Sequence, residues 1–146
     1  MNYLKIQQNL LKAVDAKHKS FNTYYCVTED KVWVIPESVL VMGIPKNLFY
    51  LDVDKIWKDI QPFKIETLFK DTWNLKSAVD SKSIIQVTNK MNLHKFVVDN
   101  EEVYINEKYL KFFDPDARFE GRNRKAPLYV YENDELVGLI TPVNYK

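Results

Sequence analysis

The hydrophobic positions Tyr3, Ile6, Leu10, Ala13 and Val14 recur at helical spacing, and they predict an amphipathic helix over residues 3–17. Leu4 and Leu11 widen its apolar stripe, and Asn2 is placed to cap it. The opposite face reads Lys5, Gln8, Asn9, Lys12, Ala16 and Lys19, so its only charges are positive. Surface helices commonly mix signs through carboxylates four residues away, and this face has none.

Period-two patterning then takes over. Asn22–Thr28 and Lys31–Ile35, rich in Tyr, Val and Trp, flank Glu29-Asp30 and read as a hairpin that Pro36 ends. Ser38–Ile44 follows as a strand with both faces covered, closed by Gly43 and Pro45. Residues 52–71 have no clear period; Asp52 is a candidate cap for a short helix through Ile60, which Pro62 limits. Strands resume at Trp73–Val79, Ser83–Thr88, Leu93–Val98 and Val103–Ile105. Asn106 caps a helix over Glu107–Phe113, with Tyr109, Leu110 and Phe113 facing inward and Lys108 and Lys111 outward. Ala117–Glu120, Leu128–Glu132 and Leu136–Thr141 complete the strands. A lysine-faced helix followed by three strands thus occurs twice, over 3–44 and 106–141, as a repeat of architecture and not of sequence. The expected fold class is α+β, with two helices on one layer and antiparallel sheets on the other.

The chain's 146 residues suit one domain, read as half-units of about 1–50 and 73–146 with 51–72 a connection of unassigned role. No segment is apolar enough to span a bilayer, and the first twenty residues are too polar for a secretory signal, so a cytoplasmic protein with no membrane partner is expected. The single cysteine, Cys26, excludes an internal disulfide and reads as a buried, inert thiol. A net charge of +1 excludes a nucleic-acid binder driven by bulk charge. Only Arg118, Arg122 and Arg124 are arginines; lysine suits phosphate contact, whereas arginine's fork suits guanine, so any DNA contact would be sequence-neutral.

Catalytic patterns are missing. Gly43, Gly121 and Gly138 cannot build a phosphate-cradling loop. His18 and His94 are scattered, which argues against a metal site, and His94 reads as a half-exposed strand residue and not a general base. Asp52/Asp54 and Asp114/Asp116 are explained by capping and turns. The GRNRK loop at 121–125 reads as a solvated hairpin tip. A non-enzymatic protein without cofactor or metal is the expectation.

The closing block is similar to a known family. VYINEKYLKFF, with Tyr109-Leu110 opening the helix, the Ala126-Pro127 step into a strand, and a final hairpin ending in Leu139-Ile140-Thr141-Pro142-Val143 resemble the second half of a DNA sliding-clamp domain of the bacterial DNA polymerase III beta-clamp type. SVLVMGIPK is similar to the strand that closes the family's first half-domain. The resemblance implies a clamp-like fold and a non-enzymatic DNA-replication accessory that holds the DNA backbone without sequence specificity. Lys5, Lys12, Lys19, Lys108 and Lys111 would supply the DNA-facing positions, and Leu139, Thr141, Pro142 and Val143 a partner-peptide pocket. It also implies homo-oligomerisation: family rings hold six such domains, so a ring of this one-domain chain would have to be a hexamer, the alternative being a protein that does not encircle DNA. Thr141 stands where the family has an apolar residue. Small size and lysine-rich composition point to a phage-borne protein. The alternative expectation is a phage or prophage interaction module on the same scaffold, which binds or mimics a host replication or defence protein.

Overall fold

The computed structural model describes residues 1–15, 24–37, 39–52, 64–69, 72 and 74–145. The protein is a mostly sheet α+β fold that divides into two compact units, one of residues 2–72 and one of Met1 with residues 73–146.

In the first unit, helix α1 (Tyr3–Asp15) packs on a meander of β1 (Tyr24–Val27), β2 (Lys31–Glu37) and β3 (Leu40–Pro45), all antiparallel. Asn2 caps α1 as expected, its Oδ1 accepting from the Lys5 amide at 3.0 Å. Ile6 and Leu10 are fully buried, whereas Leu4 and Leu11 are exposed, so the buried stripe is narrower than the sequence pattern. Gln7 takes the space between. Its amide donates to the carbonyls of Tyr3 and Leu48 at 3.0 Å each and accepts from the Tyr50 amide at 2.7 Å. That ties α1 to the short 3-10 turn η1 (Lys46–Leu48).

Two expectations about strand ends change. Pro36 lies inside β2, at the register shift between Val34 and Glu37, where an irregular ladder tolerates the missing N–H. Gly43 lies inside β3 and not at its end, directly opposite Trp33 on β2. A Cβ at Gly43 would sit 2.8–2.9 Å from three atoms of the Trp33 ring, so the indole covers the glycine. Phe69, on a single helical turn (Glu66–Phe69), meets Trp33 edge-on with centroids 5.0 Å apart. β3 is buried on both faces, as its continuous apolarity implied. The helix expected after Asp52, and Lys19 with it, fall outside the described residues.

The second unit carries six strands in the order β9-β8-β7-β4-β5-β6, each antiparallel to its neighbour. They are β4 (Lys76–Thr88), β5 (Met91–Val98), β6 (Glu101–Asn106), β7 (Arg118–Gly121), β8 (Leu128–Glu132) and β9 (Glu135–Ile140). The two strands expected over 73–88 are one strand of 13 residues. The polar break between them is a bulge at Ser81-Lys82, with Lys82 at φ 60°. Two tight turns use consecutive left-handed residues, Asp99-Asn100 and Asn133-Asp134, the residue types that accept the two positive φ values of a type I′ turn. Leu93, Phe96, Val98, Val103, Ile105, Leu128, Tyr129, Val130 and Ile140 are all buried in this unit. Full burial of each large apolar side chain is worth roughly 1.5–3 kcal/mol.

The second expected helix is a 3-10 helix, η2 (Glu107–Phe112), packed on β5 and β6. Its period of three residues, in place of 3.6, sets Tyr109 and Phe112 on the buried side, with Phe113 buried just beyond its end and Leu110 only half-buried. Among the described residues no helix is long and apolar enough to cross a membrane.

Candidate functional site

The structure presents lysines from two helical elements, one in each unit. On η2, Asn106 starts the helix by accepting the Lys108 amide at 3.2 Å. Tyr109 and Phe112 are anchored in the unit's interior. Lys108 and Lys111, three residues apart, therefore share one exposed row under the three-residue period. Their ammonium groups lie 5.0 Å from the Tyr109 ring centroid and 5.1 Å from that of Phe112. Stems laid along aromatic rings hold the charged heads at the surface. Lys5 and Lys12, seven residues apart on α1, are likewise exposed.

Acids flank η2, and the structure gives them other partners. Glu107, in the first turn, faces His94 on β5, with Oε1 3.6 Å from Nδ1. The other nitrogen of His94, Nε2, lies 2.5 Å from Oδ1 of Asp80 on β4. Burial acts to raise the Asp80 carboxyl, but the hydrogen bonds from His94 and the Lys82 amide outweigh it and hold it below the usual carboxylate range. Nδ1 is buried without a hydrogen-bond partner, and the ring bridges the β4–β5 hairpin and the first turn of η2. After η2, Asp114 binds the amino group of Met1, which also donates to Glu132 at 2.9 Å. Glu132 in turn accepts the Asp114 amide at 2.8 Å. Burial lowers the affinity of the Met1 amino group for its proton, yet these two carboxylates prevail and raise it.

The terminal motif is placed differently. Leu139 is buried in β9, and Thr141, Pro142 and Val143 are half-buried. The Val143 amide donates to the Tyr104 carbonyl at 2.8 Å, adding a bridge to the outer edge of β6. A cleft of about 290 Å³ lies in the same unit, lined by Asn100, Glu101, Glu102, Tyr104, Arg124 and Tyr145; the four residues of the expected peptide pocket do not line it. The Tyr104 hydroxyl donates to Glu102 at 2.5 Å, and that bond pushes its pKa up to about 12. In the GRNRK loop, Asn123 accepts the amides of Lys125 and Ala126, and the Arg124 amide donates to Glu101, which is the hydrogen bonding of a closed turn. Cys26 is half-buried on β1. Among the described residues no group of three or more His, Cys, Asp or Glu is arranged to hold a metal ion.

Sequence reasoning reached the lysine row and its cap. It missed Gln7, which looked like an ordinary polar helix residue, and the Asp80–His94–Glu107 chain, which depends on the bulge register in β4. Compared with family models, curated proteins and solved structures, the chain matches none.

Proposed function

We propose that the protein is a non-enzymatic DNA-replication accessory of sliding-clamp type, holding the DNA backbone through lysine charge without reading sequence. The observation that carries this reading is the Lys108/Lys111 row, exposed along one side of η2 with the lysine stems against the Tyr109 and Phe112 rings. Three residues of 3-10 helix rise about 6 Å, roughly two phosphate steps along the axis of one DNA strand. Lysine at such a row neutralises phosphates as a point charge and carries no base code.

The test is fluorescence anisotropy on duplexes of unrelated sequence. With Lys5, Lys12, Lys108 and Lys111 each on a phosphate, a slope of about −3.6 in log affinity against log salt follows, or roughly a 150-fold loss between 50 and 200 mM salt. Equal affinity across sequences supports the reading. A flat salt response or no binding at 50 mM refutes it. A second reading, an interaction module on the same scaffold that engages a replication or host protein, is favoured by the exposed apolar side chains Val79, Ile84 and Val87 on β4.

A further inference from the structure

The bulge in β4 sets Asp80 diagonally across from His94: Asp80 pairs with Phe96, and His94 precedes Phe96 by two residues on the same face of β5. Its Oδ1 accepts the Lys82 amide at 2.7 Å and stands 2.5 Å from Nε2 of His94. The Asp80 carboxyl is held below the usual carboxylate range, so it is ionised at neutral pH. An ionised oxygen has no proton to give. Nε2 is therefore the donor, and a neutral His94 ring carries its one proton there. Nδ1 is left as a bare lone pair.

That lone pair is buried, makes no hydrogen bond, and lies 3.6 Å from Oε1 of Glu107. Two electron-rich atoms at this separation repel. The rest of the ring's surroundings do little to offset that. Ile84 on β4 and Ile105 on β6 are the ladder partners of His94, and the Phe96 ring lies beside it with centroids 5.2 Å apart. The charged groups that face it are Asp80 and Lys82 from β4 and Glu107 from η2, with the Lys82 ammonium 3.5 Å from Oδ2 of Asp80. Lys95, next along β5, is turned to Glu102 at 3.4 Å, and the Lys108 ammonium lies over the Tyr109 ring.

We propose that His94 is a pH-sensitive latch: a proton added at Nδ1 turns the repulsive contact with Glu107 into a charge-assisted hydrogen bond and fastens the first turn of η2 to the β4–β5 hairpin. The movement is small. Closing the gap from 3.6 Å to the roughly 2.8 Å of such a bond takes an adjustment of the Glu107 side chain, which is one-third exposed. Asp80 keeps the opposite nitrogen in both states, so the ring need not turn over. The latch is closed while the ring holds its second proton and opens as pH rises and that proton leaves. It acts on the attachment of η2 within its own unit and does not depend on DNA binding.

The experiment is a double-mutant cycle of His94→Gln and Glu107→Gln in the full chain, read by urea unfolding at about pH 8 and about pH 5.5, which bracket the range where an ordinary histidine titrates. At the lower pH the pair should be coupled favourably, by roughly three- to tenfold in the unfolding equilibrium constant, the partial exposure of Glu107 setting the lower end. At the higher pH the coupling should vanish or change sign. A merely structural histidine would give the same coupling at both. Long-range proton–nitrogen spectra of the parent read the ring directly, without relying on either variant to fold; the histidine signals that persist in His18→Gln are those of His94. A proton on Nε2 alone at the higher pH and on both nitrogens at the lower supports the latch. Equal coupling at the two pH values, none at the lower one, a proton on Nδ1 at the higher, or a bare Nδ1 at the lower overturns it.

Discussion

Gly43→Ala tests the packing of the first unit most sharply, because two effects of opposite sign meet at one atom. Relief of backbone entropy favours alanine over glycine in a strand by roughly 0.5–1 kcal/mol. Against this, the new Cβ would stand 2.8–2.9 Å from three atoms of the Trp33 ring. Carbon atoms prefer separations of about 3.5–4.0 Å, so the ring has to withdraw by over half an ångström. Phe69 meets the indole edge-on at a 5.0 Å centroid distance, and Trp33 is buried, which leaves little room to move. Overpacking of a tight core costs about 1–3 kcal/mol, so the net effect is a destabilisation of about 1–2 kcal/mol. In a chain of this size that lowers the melting temperature by roughly 2–8 °C. Urea unfolding followed by far-ultraviolet circular dichroism measures it, and Trp33→Leu supplies the second edge of a double-mutant cycle. In the Trp33→Leu background the clash partner is gone, so Gly43→Ala should become neutral or mildly stabilising, a coupling of at least about 1 kcal/mol. A Gly43→Ala variant as stable as the parent, or strictly additive effects, would refute the indole-over-glycine account.

Gln7→Ala removes two donors and an acceptor from a side chain that is 4% exposed, leaving the Leu48 carbonyl and the Tyr50 amide without this partner. A loss of about 1–3 kcal/mol is expected in chemical denaturation, and a change under about 0.3 kcal/mol would show that water replaces the amide freely. Asp80, whose carboxyl is held below the ordinary range, contributes stability that is present above an unfolded-state value of about 3.9 and is lost as pH falls through its lower folded value. Asp80→Asn should therefore be less stable than the parent at neutral pH and should decline less steeply between about pH 4 and 2; parallel urea-midpoint curves for the two proteins would contradict the His94 tie.

The strands were legible wherever a turn residue or a change of period marked them. Leu128–Glu132 has the expected bounds, and the hairpin around Glu29-Asp30 lies where the alternation placed it. What escaped was local geometry set by tertiary contacts. Ser81-Lys82 reads as a loop because polar residues usually end strands, yet β5 continues the ladder on both sides of the bulge. Glu107–Phe112 has the composition of a helix but too few residues to choose between 3.6 and three per turn. Its docking against β5 and β6 accompanies the tighter form, which moves Phe112 inward and Leu110 partly out. Pro36 and Gly43 look like strand breakers until a bulge and an indole across the ladder accommodate them. The lysine positions of the candidate site were visible in the sequence. The partners that occupy the neighbouring acids were not, since Asp114 is 113 residues from the Met1 amino group it binds.

The central claim is that lysine rows on helical elements hold DNA phosphates, and the salt dependence of binding with and without the η2 row tests it most directly. Replacing Lys108 and Lys111 together by Glu should make the slope of log affinity against log salt shallower by about 1.8 units if each lysine neutralises one phosphate. The variant should stay folded, with a melting temperature lower by no more than a few degrees, since both side chains are exposed and only their contacts to the Tyr109 and Phe112 rings are lost. A parent slope near −3.6 that falls to about −1.8 agrees with the account. An unchanged slope, or no salt-dependent binding by the parent at all, contradicts it.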